Sequence, residues 1–322
     1  MNRVSTPTPQ RAVARSAGGF SPESVFVLAG VSQNIGSILA KSLFDEVRPA
    51  TVALIRVMFA SVVLLALSWR HWVPSITGRT PSGVRRWTRA DLGSSALFGV
   101  SIALMNLFFF LAIDRLDLGK GAAIEFIGPI AVAASRTRTR RNAIAILMAV
   151  IGVGLLSGFE VSGNPLGLLF IFLASAMWAV YIVIGAKVAR QDRGLAGLGV
   201  GLIFGSVAIA PVGIGLFGDG VNGDGSIAAV LSSPKLLVLC CAVGLFTTVI
   251  GYGLDQHVLR RIPTARFALL LALLPVNATL VAFIALNERP SVFDLIGIAF
   301  VVAGVILQQR DEPPSVLDEP PQ

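Results

Sequence analysis

The chain has 322 residues, of which 54% are hydrophobic and only 14% charged, with a mean hydropathy of +0.78. Soluble domains carry about a quarter charged residues, so this composition excludes an ordinary water-soluble globule and points to a polytopic membrane protein. The net charge of +8 does not mark a nucleic-acid binder, because the arginines sit in short stretches between apolar runs and form no stripe.

Residues 1–20 carry Arg3, Arg11 and Arg15 among Pro, Thr and Gly, with no apolar run of their own. They read as a disordered cytoplasmic tail, not a cleaved signal. Apolar runs long enough to span a bilayer then fall near 25–44, 50–69, 92–113, 119–135, 142–158, 166–188, 196–217, 236–258, 264–286 and 291–309. Residues 311–322 read as a second disordered tail. The sequence thus predicts an all-α membrane protein of ten transmembrane helices.

Ten spans place both termini on one side, and the positive-inside rule selects it. Tails, loops and adjoining span ends on the side of the termini carry 19 Lys or Arg, against five on the other: Arg48, Arg115, Lys120, Lys235 and Arg289, with Lys41 and Arg56 inside spans counted in neither. Both termini are therefore expected in the cytoplasm. Arg outnumbers Lys 22 to 4, which hints at a GC-rich bacterial source and hence at the bacterial inner membrane.

The two halves echo each other. Lys41 precedes Lys187 by 146 residues, Arg115 precedes Arg261 by the same distance, and so does Pro129 relative to Pro275. Five spans per half require the second half to be inserted upside down, which is the plan of many secondary transporters with a site at the midplane. The expected division is 21–160 for the first five-helix repeat and 161–310 for the second, around a central cavity.

Ionisable groups inside spans are costly and normally face a cavity or a partner. Glu125 and Asp255 are the two acids clearly inside spans, Arg56 is expected to neutralise one of them, and Lys41 near a helix end reaches either the site or the interface. Gln33 and Ser37 lie one turn apart on the first span, and Asn106 lies within the third. Trp178 and Tyr181 are three apart on the sixth, and Tyr252, Asp255 and Gln256 share a turn of the eighth. The competing reading for each is interhelical glue or a lipid-facing aromatic ring.

Pro129 and Pro275 cannot donate to their helix ladders, so paired breaks are expected in the fourth and ninth spans. Gly197, Gly201 and Gly205 read as a close-packing face. The letters "GIGLFG" (213–218) match a dinucleotide fingerprint without the preceding strand it needs, and are rejected. Cys240 and Cys241 are adjacent within an apolar run, and His71 and His257 are the only histidines. Neither a disulfide framework nor a zinc spacing is available. No cofactor is expected, and no nucleophile–base constellation suggests an enzyme.

The segments "SILAKSLF" (37–44), "ALIR" (53–56), "GVSIALMNLFFFLAI" (99–113), "IEFIGPIAVA" (124–133), "SAMWAVYIV" (175–183) and "YGLDQHVLRRIPTARF" (252–267) together resemble the threonine/homoserine exporter family, in the EamA branch of the drug/metabolite transporter superfamily. The resemblance runs from about residue 25 to 309. It implies ten helices in a 5+5 inverted repeat, and export of small neutral amino acids from the cytoplasm.

No ATP motif of the Walker type is present, so the expected energy source is the proton gradient, with Glu125 and Asp255 carrying the coupling and membrane lipids surrounding the bundle. The alternative is a broader exporter of aromatic amino acids, drugs or other metabolites on the same fold. A channel or purely structural bundle is the third reading.

Overall fold

The computed structural model describes residues 21–69, 87–116, 124–135, 139–157, 164–190, 194–215, 226–274, 276–277 and 291–309. The two expected tails and the expected break at Pro275 lie outside the described residues. Every regular element among those described is helical.

The helix starts are written locally in the sequence. Ser21 caps α1 (Pro22–Leu43), its Oγ accepting from the Ser24 N–H at 3.2 Å, with Pro22 in the first turn. Proline fits that position because its missing N–H has no intrahelical acceptor there. Pro49 opens α2 (Pro49–Leu67) in the same way. A reciprocal capping box opens α3 (Arg89–Ile113): the Asp91 N–H donates to Thr88 Oγ1 at 3.1 Å, and the Thr88 N–H to Asp91 Oδ2 at 3.0 Å.

The chain continues through α4 (Ile127–Ser135), α5 (Arg140–Ser157), α6 (Pro165–Arg190) and α7 (Gly194–Gly213). A short α8 (Ile227–Ser232) leads to α9 (Pro234–Val243), a π-helical segment (Gly244–Tyr252) and α10 (Gly253–Arg261), which together form one unbroken helical run. Then come α11 (Thr264–Leu270) and α12 (Val292–Gln309).

Six helices among the described residues are long and apolar enough to cross a membrane: α1, α2, α3, α6, Leu195–Gly213 within α7, and the run Pro234–Arg261. At a rise of about 1.5 Å per residue the 22 residues of α1 extend about 33 Å, against a hydrocarbon core of about 30 Å. Large apolar side chains such as Val62, Val207 and Val238 point outward. Such a belt is unfavourable in water and matches lipid.

The centre is built by α3, which packs on both α6 and α7, and by the run Pro234–Arg261, which packs on α1 and α2. In addition α2 packs on α7, and α5 pairs with α12. Between helices in lipid, packing replaces the hydrophobic drive, so small residues let backbones meet. At the α3–α7 crossing a Cβ on Gly99 would lie 1.9 Å from the Gly201 carbonyl carbon, and one on Gly205 would lie 2.5 Å from the Gly99 oxygen. Gly201 and Gly205 therefore form a packing face.

Two segments depart from regular helix next to the centre. Ile124 and Glu125 are helical, Phe126 is a turn, and helix resumes at Ile127 with Pro129 as the third residue of α4. After α11, Leu271 and Ala272 form a turn before a further helical pair at Leu273 and Leu274.

Candidate functional site

The π-helical segment is where the polar residues converge. Its wider turn brings Gly244 and Gly251 against neighbouring helices: a Cβ on Gly244 would lie 2.8 Å from the Arg56 carbonyl oxygen, and one on Gly251 would lie 2.5 Å from Gln33 Cγ. Side chains satisfy backbone groups that the altered pattern frees. Ser32 Oγ donates to the Phe246 carbonyl at 2.7 Å, and Thr247 Oγ1 to the Val243 carbonyl at 2.6 Å.

Tyr252, the last residue of that segment, reaches α3. Asn106 Nδ2 donates to the Tyr252 hydroxyl at 3.0 Å and to the Ile102 carbonyl at 2.7 Å. One turn on, Asp255 is buried, and its Oδ2 accepts from Tyr181 Oη at 3.1 Å and from Gln33 Nε2 at 3.2 Å. Asp255 Oδ1 is buried and has no partner among the described residues. The Tyr181 ring lies 5.5 Å from that of Tyr252 and stacks on Phe98 at 5.5 Å with an 18° interplanar angle.

Arg56 on α2 is 2% exposed. Its guanidinium carbon sits 5.5 Å from the centroid of Phe110, a cation–π contact, and the group faces the Tyr252 hydroxyl. Nε and Nη2 have no hydrogen-bond partner among the described residues. Among the described residues Arg56 forms no ion pair with a carboxylate. The aromatic face and the phenol stand beside the guanidinium instead.

Glu125 is 8% exposed and makes no hydrogen bond or ion pair among the described residues. It precedes the turn at Phe126, whose ring is 5.1 Å from Trp178. Glu125, Asp255 and Arg56 all lie within electrostatic reach of the Tyr252 hydroxyl.

Of the residues expected at a site, the structure thus gathers Arg56, Asn106, Glu125, Tyr181, Asp255 and Gln33 around Tyr252, with Trp178 behind Phe126. Lys41 is not brought in: it is exposed in the last turn of α1, two turns beyond Gln33. Asn277 packs against α1, where a Cβ on Gly30 would lie 2.3 Å from its Nδ2. Residues that the sequence reading did not single out are Phe98, Phe110 and Phe126, which wall the cluster, and Ser32 and Thr247, which brace the π-helical segment. The one local signal for the latter is the polar pair Thr247–Thr248 between two glycines inside an apolar span.

A cluster that gathers both signs of charge from five helices and the segment before α4 of a lipid-facing bundle suits a small polar cargo. Residues 165–308 match the EamA-like transporter family. The second half of this chain is an EamA-like transporter domain. Beyond that match, the chain is 29% identical over 304 residues to the threonine/homoserine exporter RhtA of Salmonella typhimurium, covering 91% of this chain and 93% of the exporter. It is 28% identical to RhtA of Escherichia coli, over 88% and 89% of the two chains. An uncharacterized transporter of Archaeoglobus fulgidus is 24% identical, over 84% and 91%. A crystal structure that aligns with 91% of this chain and 100% of its own superposes with a TM-score of 0.62 at 18% identity, which bears on the fold alone. The EamA-like domain and the transporter relatives make this a multi-pass membrane transporter, as the sequence resemblance implied.

Proposed function

We propose that this EamA-like protein exports small neutral amino acids, threonine- or homoserine-like, across the bacterial inner membrane. One observation carries the reading: Arg56 is buried with Nε and Nη2 both open among the described residues, and it shares the Tyr252 hydroxyl with Glu125 and Asp255, whose acceptor capacity is also unfilled. An isolated buried charge is strongly unfavourable. A zwitterion resolves both deficits, its carboxylate bridging the two guanidinium N–H groups in fork geometry and its ammonium meeting Glu125 and Asp255 Oδ1.

Proton coupling follows from the same deficit. A buried carboxylate without hydrogen-bond donors takes either a proton or the substrate ammonium as its cation. Occupation by one excludes the other, which is the minimum chemistry of antiport. Glu125, with no partner among the described residues, is the exchanger, and Asp255, fixed by Tyr181 and Gln33, orients the ammonium.

The proposed architecture is ten spans in a 5+5 inverted repeat with both termini cytoplasmic. Supporting it, a shift of 146 residues carries α2 onto α7 and α3 onto the run Pro234–Arg261 almost end to end. The same shift carries the turn at Phe126 onto that at Ala272. The neighbours exchange as well: α3 packs on α6 and α7, and its counterpart packs on α1 and α2.

The test is export from liposomes holding the purified protein and labelled threonine, with and without an imposed pH gradient. Saturable efflux that accelerates with the gradient is expected. Efflux no faster than from protein-free liposomes rejects the reading. A second reading, export of aromatic amino acids, is favoured by the walls of Phe98, Phe110, Phe126, Trp178, Tyr181 and Tyr252. Competition between unlabelled phenylalanine and labelled threonine separates the two.

A further inference from the structure

Gln256 belongs to none of the contacts described so far. Its side chain is 3% exposed, and Nε2 and Oε1 are both buried without a partner among the described residues. A buried amide with donor and acceptor both open is rare in folded proteins, and each open end costs about 1–3 kcal/mol. A group that both donates and accepts would satisfy both ends.

Its position limits what that is. Gln256 follows Tyr252 by four residues and precedes Leu259 by three, so the three lie on one stripe of the helix. Tyr252 bonds to Asn106 of α3, and Leu259 lies with Phe98 of that helix against Gly185 of α6. Gln256 therefore lies between those two contacts, one turn beyond the Tyr252 hydroxyl and next in sequence to Asp255.

Taken together, the open polar groups around the run Pro234–Arg261 describe a ligand. Arg56 offers two N–H donors to a carboxylate. Asp255 Oδ1 and Glu125 offer acceptors to an ammonium. Gln256 offers one acceptor and donors together, which suits a group that is itself both donor and acceptor, such as a hydroxyl.

We propose that Gln256 reads the substrate side chain, accepting from and donating to its hydroxyl, and so selects hydroxy-amino acids over apolar isosteres. This inference rests on the amino-acid reading of the site. A pocket that only matches shape separates isosteres by about 10–200-fold, whereas one that hydrogen-bonds a substrate hydroxyl reaches about 10⁴–10⁵-fold, because the isostere leaves the site's own polar groups unpaired.

The test compares threonine with valine, in which a methyl replaces the hydroxyl, by measuring kcat/KM for efflux from liposomes of wild type and Gln256→Leu. The expected wild-type preference for threonine exceeds about 200-fold, and Gln256→Leu brings it below tenfold. Gln256→Met, similar in volume and flexible, repeats the comparison should the leucine variant fail to reach the membrane. A wild type that moves both amino acids equally well overturns the proposal while leaving the amino-acid reading intact. So does a variant that keeps the wild-type ratio, which would mean that an ordered water fills the amide. A protein that moves neither overturns the amino-acid reading and this inference with it.

Discussion

Asn106 and Tyr252 are 146 residues apart in sequence and hydrogen-bonded to each other. That separation is also the one between Lys41 and Lys187, and between Arg115 and Arg261. Under the proposed inverted repeat the two residues are equivalents, and equivalents that touch lie beside the pseudo-two-fold axis. Tyr252 at this point also faces Arg56. On that proposal a polar contact joins the two halves near their centre.

A coupled pair makes a non-additive prediction. Asn106→Ala and Tyr252→Phe should each lower kcat/KM for export about tenfold. The double variant should be no worse than the poorer single one, because either change removes the same bond. Losses that multiply in the double variant would mean that the two side chains act separately.

The Arg56 clamp predicts which part of the substrate matters. Arg56→Lys keeps the charge and discards the fork, so KM for threonine should rise by at least about tenfold while the amount of protein in the membrane is unchanged. The amino alcohol of threonine, which lacks the carboxylate, should compete poorly against wild type and lose nothing further against the variant. Equal competition by the amino alcohol and threonine would remove the carboxylate from Arg56.

How far such groups were legible beforehand differs by kind. Glu125, Asp255 and Arg56 announce themselves, because an ionisable residue in an apolar span has few places to go. Tyr181 and Tyr252 were legible through their spacing next to Trp178 and Asp255. The π-helical segment was not legible, since a wide turn depends on bonds from Ser32, more than 200 residues away in sequence. The environment of Arg56 was missed for a related reason. Hydropathy places a charge in a span without saying which neighbour it meets, and Phe110 looks like any other apolar residue of its helix.

Helix packing can be tested apart from transport. A Cβ on Gly99 would overlap the Gly201 backbone, whereas one on Gly93, on the same helix, meets nothing within 4 Å. Gly99→Ala should therefore destabilise by about 2 kcal/mol or more, seen as a lower melting temperature in detergent and less protein in the membrane. Gly93→Ala, a helix-favouring change in open space, should be neutral or stabilising by up to about 1 kcal/mol. Equal melting temperatures for the two variants would contradict the α3–α7 crossing.

Topology offers an independent check on the inverted repeat. Cysteine tags in 75–90 or 136–141 should react only with reagent on the cytoplasmic side, and a tag in 219–226 only with reagent outside. The charge bias behind this is large, 19 basic residues against five. A tag in 219–226 that is protected from external reagent would place both halves the same way up and end the repeat argument.

Glu125 carries the last prediction. It stands four residues before Pro129, and a proline has no N–H to give the carbonyl four residues back; the helix breaks at the intervening Phe126. The carboxylate thus sits at an interrupted helix, buried, with no donor among the described residues, while Asp255 has two. Glu125→Gln keeps shape and hydrogen-bonding capacity and removes the titration. Protein level should hold, proton-driven efflux should disappear, and threonine–threonine exchange should persist with a flat pH profile. Asp255→Asn should behave differently, raising KM for exchange by disturbing Tyr181 and Gln33 together. If Glu125→Gln exports threonine at the wild-type rate and pH profile, the carboxylate only holds the bundle together and the coupling role passes to Asp255.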